Sequence, residues 1–161
     1  MVGFALIMIF VFIILLIFLS FYLRDSSRDA VVSYEVGSFM GAMTQYTTEC
    51  EIDFGYLSVG SLIKECGKET SSNICKNGFA PCVALNNTLK ELIKSSWNVG
   101  SDKPVKGYIL EITSTEIEPL KQILIIKEGN ITGRNLNSKG DSRILSNAGK
   151  DYEIKLQIYS E

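Results

Sequence analysis

From Met1 to Leu23 the chain carries no charged residue, and 21 of the 23 positions are hydrophobic, with Gly3 and Ser20 the exceptions. An apolar run of that length predicts a helix that is apolar on every side. At about 1.5 Å per residue it would reach roughly 34 Å, enough for a hydrocarbon layer of about 30 Å. From Arg24 onward the pattern changes. Val32, Val36, Phe39, Met40, Met43 and Tyr46 recur at spacings of three and four with no intervening proline, predicting that the helix continues as an amphipathic stem to about Thr47, roughly 70 Å in all if unbroken. The junction Arg24-Asp25-Ser26-Ser27-Arg28-Asp29 is polar on all sides, with like charges four residues apart, so this turn is expected to be solvated.

Two shorter helices follow. Ser58 can cap a run through Val59, Leu62 and Ile63 that stops at Cys66-Gly67, and Pro81 suits the first turn of a second run carrying Cys82, Leu85, Leu89, Leu92 and Ile93 to about Trp97. The segment Lys68 to Gly78 between them is polar and reads as a loop. After Pro104 the period falls to two. Tyr108, Leu110 and Ile112 alternate with Ile109, Glu111 and Thr113, and Tyr152, Ile154, Leu156 and Ile158 alternate with Glu153, Lys155 and Gln157. Ile123 to Ile126 is a third strand, Glu128-Gly129-Asn130 a turn into a short strand at Ile131-Thr132, and Asn135 to Lys150 a long polar loop.

These elements predict an α+β fold: a long N-terminal helix (hydrophobic rod plus amphipathic stem), two short helices, and a small C-terminal antiparallel sheet packed on the stem. The divisions are a transmembrane or filament-core helix over 1–23, a stem over 24–48 and a globular head over 49–161. Within the head, 49–98 holds the cysteines and 104–161 the sheet.

Composition narrows the function. The 161 residues include no histidine, which excludes a Ser-His-Asp triad, a Cys-His nucleophile pair and any histidine-bearing zinc site. A net charge of −2, from 16 Lys+Arg against 18 Asp+Glu, gives no electrostatic case for nucleic acid. Asp25, Asp29, Glu49, Glu51 and Asp53 have no accompanying base, phosphate loop or metal triad, so they read as a solvated face. No enzyme activity and no cofactor is expected.

Cys50, Cys66, Cys75 and Cys82 contain no Cys-x-x-Cys and favour two disulfides formed outside the cell. Three pairings are possible. Cys66–Cys75 closing the short polar loop and Cys50–Cys82 tying the stem's end to the following helix is the preferred pair, with Cys50–Cys66 and Cys75–Cys82 as the rival. An exported head conflicts with Arg24 and Arg28, whose position after the rod would keep the head inside by the positive-inside rule. The conflict resolves if a short basic leader once preceded Met1 and has been removed, so that Met1 is not the initiator. Asn-x-Thr sequons occur at Asn130, in a turn and the better glycosylation candidate, and at Asn86, within a helix.

A charge-free N-terminal rod running into an amphipathic stem, followed by a cysteine-stapled head ending in an antiparallel sheet, resembles the type IV pilins, and most closely the archaeal ones. Bacterial members commonly interrupt the rod with proline and glycine and place a glutamate where this sequence has Ala5; here the first proline is Pro81. The head also resembles cysteine-rich pilin-like proteins of small-genome archaea through Cys50, Tyr56-Leu57-Ser58-Val59-Gly60-Ser61-Leu62-Ile63, Cys66, Cys75, Cys82 and Leu85-Asn86-Asn87-Thr88-Leu89.

The resemblance implies a subunit of an extracellular filament used for adhesion or surface attachment. Its polymerisation core would be Val2, Phe4, Leu6, Ile9, Phe10, Phe12, Ile13, Leu16, Phe18 and Phe21. Its partners would be other copies of the chain, a prepilin peptidase and an assembly machinery, with the inner membrane as the resting place before assembly and the head outside. The alternative is a single-pass membrane-anchored extracellular binding domain that does not polymerise.

Overall fold

The computed structural model describes residues 2–53, 55–68, 74–115, 121–133, 136–147 and 149–161, with the side chains of all of these except 2–7 and 21–33. In chain order the elements are α1 (Val2–Gln45), β1 (Thr47–Ile52), β2 (Gly55–Ser58), α2 (Val59–Cys66), α3 (Pro81–Ser96), β3 (Val105–Ser114), β4 (Lys121–Gly129), β5 (Asn137–Asn147) and β6 (Lys150–Ser160). The chain forms two compact units, Met1–Glu35 and Val36–Glu161.

Helices and antiparallel sheets are both present, but the expected architecture needs correction at its N-terminal end. The stretch of the first unit's helix whose side chains are described, Met8 to Ser20, is 13 residues long, about 20 Å of helix against the roughly 30 Å of a hydrocarbon core. Among the described residues no helix is long and apolar enough to cross a membrane. The expectation of a spanning rod is therefore set aside. Arg24, Asp25, Arg28, Asp29 and Val32 lie outside the described side chains.

In the second unit the end of α1 follows the predicted stripe as far as the helix goes. Val36, Met40 and Met43 are buried, and Phe39 is partly buried with its ring edge-on to Trp97 at a centroid distance of 4.5 Å. The stripe stops short of Tyr46, which is half exposed and outside the helix. There the chain tightens, Tyr46 N–H donating to the Met43 carbonyl at 3.2 Å, and enters the unexpected β1–β2 hairpin. A register shift between Thr47 and Glu51 interrupts the pairing of β1 with β2, while Thr48 and Cys50 still alternate inward. Thr48 secures the shift, its hydroxyl donating to the Leu57 carbonyl at 2.7 Å and accepting from Cys50 N–H at 3.3 Å.

The Ser58 hydroxyl accepts from Ser61 N–H at 3.2 Å and caps α2, and Pro81 opens α3, both as the sequence predicts. Gly67 does end α2, but not by adopting the left-handed conformation of the usual glycine stop, since its φ is −74°. A Cβ there would lie 2.5 Å from the Tyr152 ring, so Gly67 is what lets the end of α2 rest on β6.

The main sheet runs β4-β3-β6-β5, antiparallel throughout. Its inner face is the predicted one. Tyr108, Leu110 and Ile112 of β3 stand opposite Ile158, Leu156 and Ile154 of β6, and all join one core with Leu62 and Ile63 of α2 and Leu85, Leu89 and Ile93 of α3. The expected loop over Asn135 to Lys150 is instead largely an 11-residue strand, β5, and the expected short strand at Ile131-Thr132 has no strand pairing. That latter segment belongs to a crossover that carries the chain from β4 at one edge to β5 at the other. It starts at Gly129, whose φ of +79° and close approach to the Lys106 carbonyl leave no room for a side chain.

Candidate functional site

A helix turns once every 3.6 residues, so twelve consecutive apolar positions put apolar surface on all sides. Met8 to Leu19 are such a run, and each of these side chains is between 49% and 74% exposed. Of the residues expected to form a polymerisation core, Ile9, Phe10, Phe12, Ile13, Leu16 and Phe18 belong to this surface. The side chains of Val2, Phe4, Leu6 and Phe21 lie outside the described residues. A continuous apolar surface of this kind, with no polar position from Met8 to Leu19, marks a place where another apolar surface belongs.

The cysteines of the second unit all pair, but not as preferred from sequence. The bonds are Cys50–Cys75 and Cys66–Cys82, each with a Cα–Cα distance of 4.9 Å, in place of Cys50–Cys82 with Cys66–Cys75 and of the rival Cys50–Cys66 with Cys75–Cys82. The β1–β2 hairpin is the reason. It folds the chain back so that β1 lies beside the 74–80 segment, where Lys76 N–H donates to the Glu51 carbonyl at 2.9 Å and the Lys76 ammonium pairs with the Glu51 carboxylate. Cys66, at the end of α2, then faces the first turn of α3. The two bonds tie β1 to the loop and α2 to α3.

At its other end α3 is fastened to β4. Tyr108, fully buried, donates its hydroxyl to the Glu128 carboxylate at 2.9 Å, and Lys94 of α3 reaches the other oxygen of Glu128 at 3.1 Å. Burial, and then the negative charge that accepts its proton, push the Tyr108 phenol well above its ordinary value. For Glu128 burial opposes ionisation, but the Tyr108 hydroxyl, Lys94 and Lys90 together hold its carboxyl below the ordinary value.

Each shift fixes a sign. The folded phenol keeps its proton to higher pH than the unfolded one, so its contribution is complete below about pH 10 and is lost above, by at most about 1.4 kcal/mol per pH unit. Glu128 contributes above the ordinary carboxyl range and loses that contribution as pH falls through its lowered value. Chemical denaturation between pH 9 and 11 should show a decline that Tyr108→Phe makes shallower. An unchanged slope in that variant would count against the assignment.

The sequon asparagines fall in different settings. Asn130 is exposed at the start of the crossover, its side-chain oxygen accepting from Thr132 N–H at 3.2 Å, while Asn86 is half-buried on α3. Among the described residues no group of three His, Cys, Asp or Glu side chains is placed to hold a metal ion. Compared with known proteins, the chain matches no family model, no curated protein and no solved structure.

Proposed function

We propose that this chain is the structural subunit of an extracellular type IV pilus-like filament, polymerising through its N-terminal hydrophobic helix, for adhesion or surface attachment. The observation that carries the reading is the exposed apolar surface from Met8 to Leu19. Burying a large apolar side chain contributes about 1.5–3 kcal/mol, and these side chains are already half-covered by their own helix, so packing all twelve against neighbouring copies would contribute roughly 10 kcal/mol or more. Because apolar positions surround the helix, several neighbours are needed to cover it, which favours a bundle over a dimer. The disulfide-tied second unit suits the outside of such a bundle, since its own core is already closed. Other copies of the chain, a prepilin peptidase and an assembly machinery are the partners this reading calls for.

The test is to shear cells, pellet the released surface material and determine the N-terminal residue of this chain in the pellet by mass spectrometry. The expected result is abundant chain in the pellet. Chain absent from sheared filaments would sink the proposal.

A further inference from the structure

Between the end of α1, β1, the 74–80 segment and α3 lies a groove of about 250 Å³. Its walls are the half-exposed rings of Tyr46 and Phe79, the carboxylates of Glu49 and Glu91, and the polar side chains of Asn87 and Thr88, with the Cys50–Cys75 bond beneath. Among the described residues no lysine or arginine lines it. Lys76, next to the lining residue Asn77, is paired with Glu51. Glu49 and Glu91 have no ion-pair or hydrogen-bond partner among the described residues, so the groove holds two uncompensated negative charges.

The exposed Phe79 ring is held in place. Cys75 N–H donates to the Phe79 carbonyl at 2.9 Å, Gly78 N–H to the Cys75 carbonyl at 2.7 Å, and Phe79 N–H to the Asn77 side-chain oxygen at 3.2 Å. Gly78, with φ of +84°, supplies the turn, and the disulfide fixes the turn to β1. An apolar ring kept half in water by a tight, covalently anchored turn is pre-organised for something to lie against it.

Aromatic side chains and unpaired carboxylates lining one groove, with no lysine or arginine among its described lining residues, make a setting for an organic cation: aromatic rings attract positive charge through their quadrupoles and carboxylates through charge and hydrogen bonds. Size decides what kind. The groove falls just below the roughly 300–1,000 Å³ of sites for drug-sized molecules, so it suits one side-chain-sized group. We propose that this groove binds a single alkylammonium or guanidinium group, either the end of a lysine or arginine side chain on a neighbouring copy or a free amine of that size. The proposal stands whether or not the filament reading holds.

The test is saturation-transfer NMR on the full-length chain with n-butylammonium and n-butylguanidinium, and with neutral pentanamide, intermediate in length between the two, as the control. The two cations should bind saturably, with Kd of the order of 1 mM, and pentanamide should not. Glu49→Gln with Glu91→Gln should weaken the cations at least tenfold, and Phe79→Leu severalfold, with melting temperatures confirming that each variant folds. Glu111→Gln with Glu153→Gln, the same charge change on the outward face of β3 and β6, should leave binding as it was.

Equal binding of pentanamide, no saturable binding of either cation, or equal weakening by the outward pair would overturn the proposal. Carbodiimide coupling followed by peptide mass spectrometry separates the two sources. Glu49 or Glu91 joined to a lysine of another copy assigns the cation to a neighbour, and coupling only to added butylamine assigns it to a free amine; both keep the site.

Discussion

Replacing Ile13 by glutamate should remove sedimentable assemblies, cutting the pelleted fraction of sheared material at least tenfold, while Ile13→Leu leaves it near its starting level. The physical basis is the surrounding of that position. Ile13 sits in the middle of the Met8 to Leu19 surface, five residues from one end and six from the other, so in a bundle of such helices it would lie far from water. An unpaired carboxylate there costs several kcal/mol after relaxation, repeated in every subunit, and the protonated form still leaves a polar group without a partner. Leucine keeps both volume and apolarity. The second unit is the internal control, since among the described residues its core contains none before Val36 and its melting temperature should not move. Normal pelleting of the glutamate variant would remove this surface from any role in assembly.

The second large effect concerns the covalent ties. Converting Cys50 and Cys75, or Cys66 and Cys82, to alanine should each destabilise the second unit by about 2–4 kcal/mol, since closing a loop of about 15 residues limits the unfolded chain by about 3 kcal/mol. The sequence separations are 25 and 16, so neither bond should dominate. For a unit of this size each change corresponds to a fall in Tm of about 10 °C. The two losses should fall short of additive, because both bonds act on the same stretch of chain between Cys50 and Cys82. Peptide mapping without reduction checks the premise directly. Recovering a Cys50–Cys82 peptide would show that the hairpin does not place β1 against the loop.

Legibility in the sequence followed how completely each element was governed by its own side chains. β3 and β6 are buried on one face along most of their length, and Tyr108-Leu110-Ile112 and Tyr152-Ile154-Leu156-Ile158 announce this by strict alternation. α2 and α3 carry caps and apolar spacings that need no distant partner to be recognised. β5 carries no such signal, because its core-side positions are Lys139, Asp141, Arg143 and Leu145, opposite Ile158, Leu156, Ile154 and Tyr152 of β6. Charged residues can occupy that side because α1 presents Gly37 to Asp141 and Gly41 to Arg143, a complementarity between segments about a hundred residues apart.

β1 was hidden for another reason. The helical stripe continues in register into Tyr46, and the chain leaves the helix without a proline or a glycine to mark the exit. Missing that hairpin carried the cysteine pairing with it, since the preferred pairing had Cys66–Cys75 close the polar loop and Cys50–Cys82 tie the stem's end directly to the following helix. The groove was invisible on the same grounds. From sequence Glu49 reads as part of a solvated face and Glu91 carries no signal at all; both come to line one groove only when the hairpin brings β1 beside α3.

The arrangement of the main sheet also bears on when this unit can acquire its structure. Among the described residues β6 is the last strand in sequence, yet it lies between β3 and β5, and β5 has no other strand partner. Until β6 is in place the β3–β4 hairpin shows the core side of β3 beside an empty edge, and β5 is an unpaired polar segment. Completion is therefore close to all-or-none: the unit cannot be built strand by strand from its N-terminal side, and a chain interrupted in the β5–β6 region would have a hairpin in place of a sheet. Such dependence on late, sequence-distant pairing slows folding but makes a finished unit easy to tell from an unfinished one, because only the complete chain has a closed core.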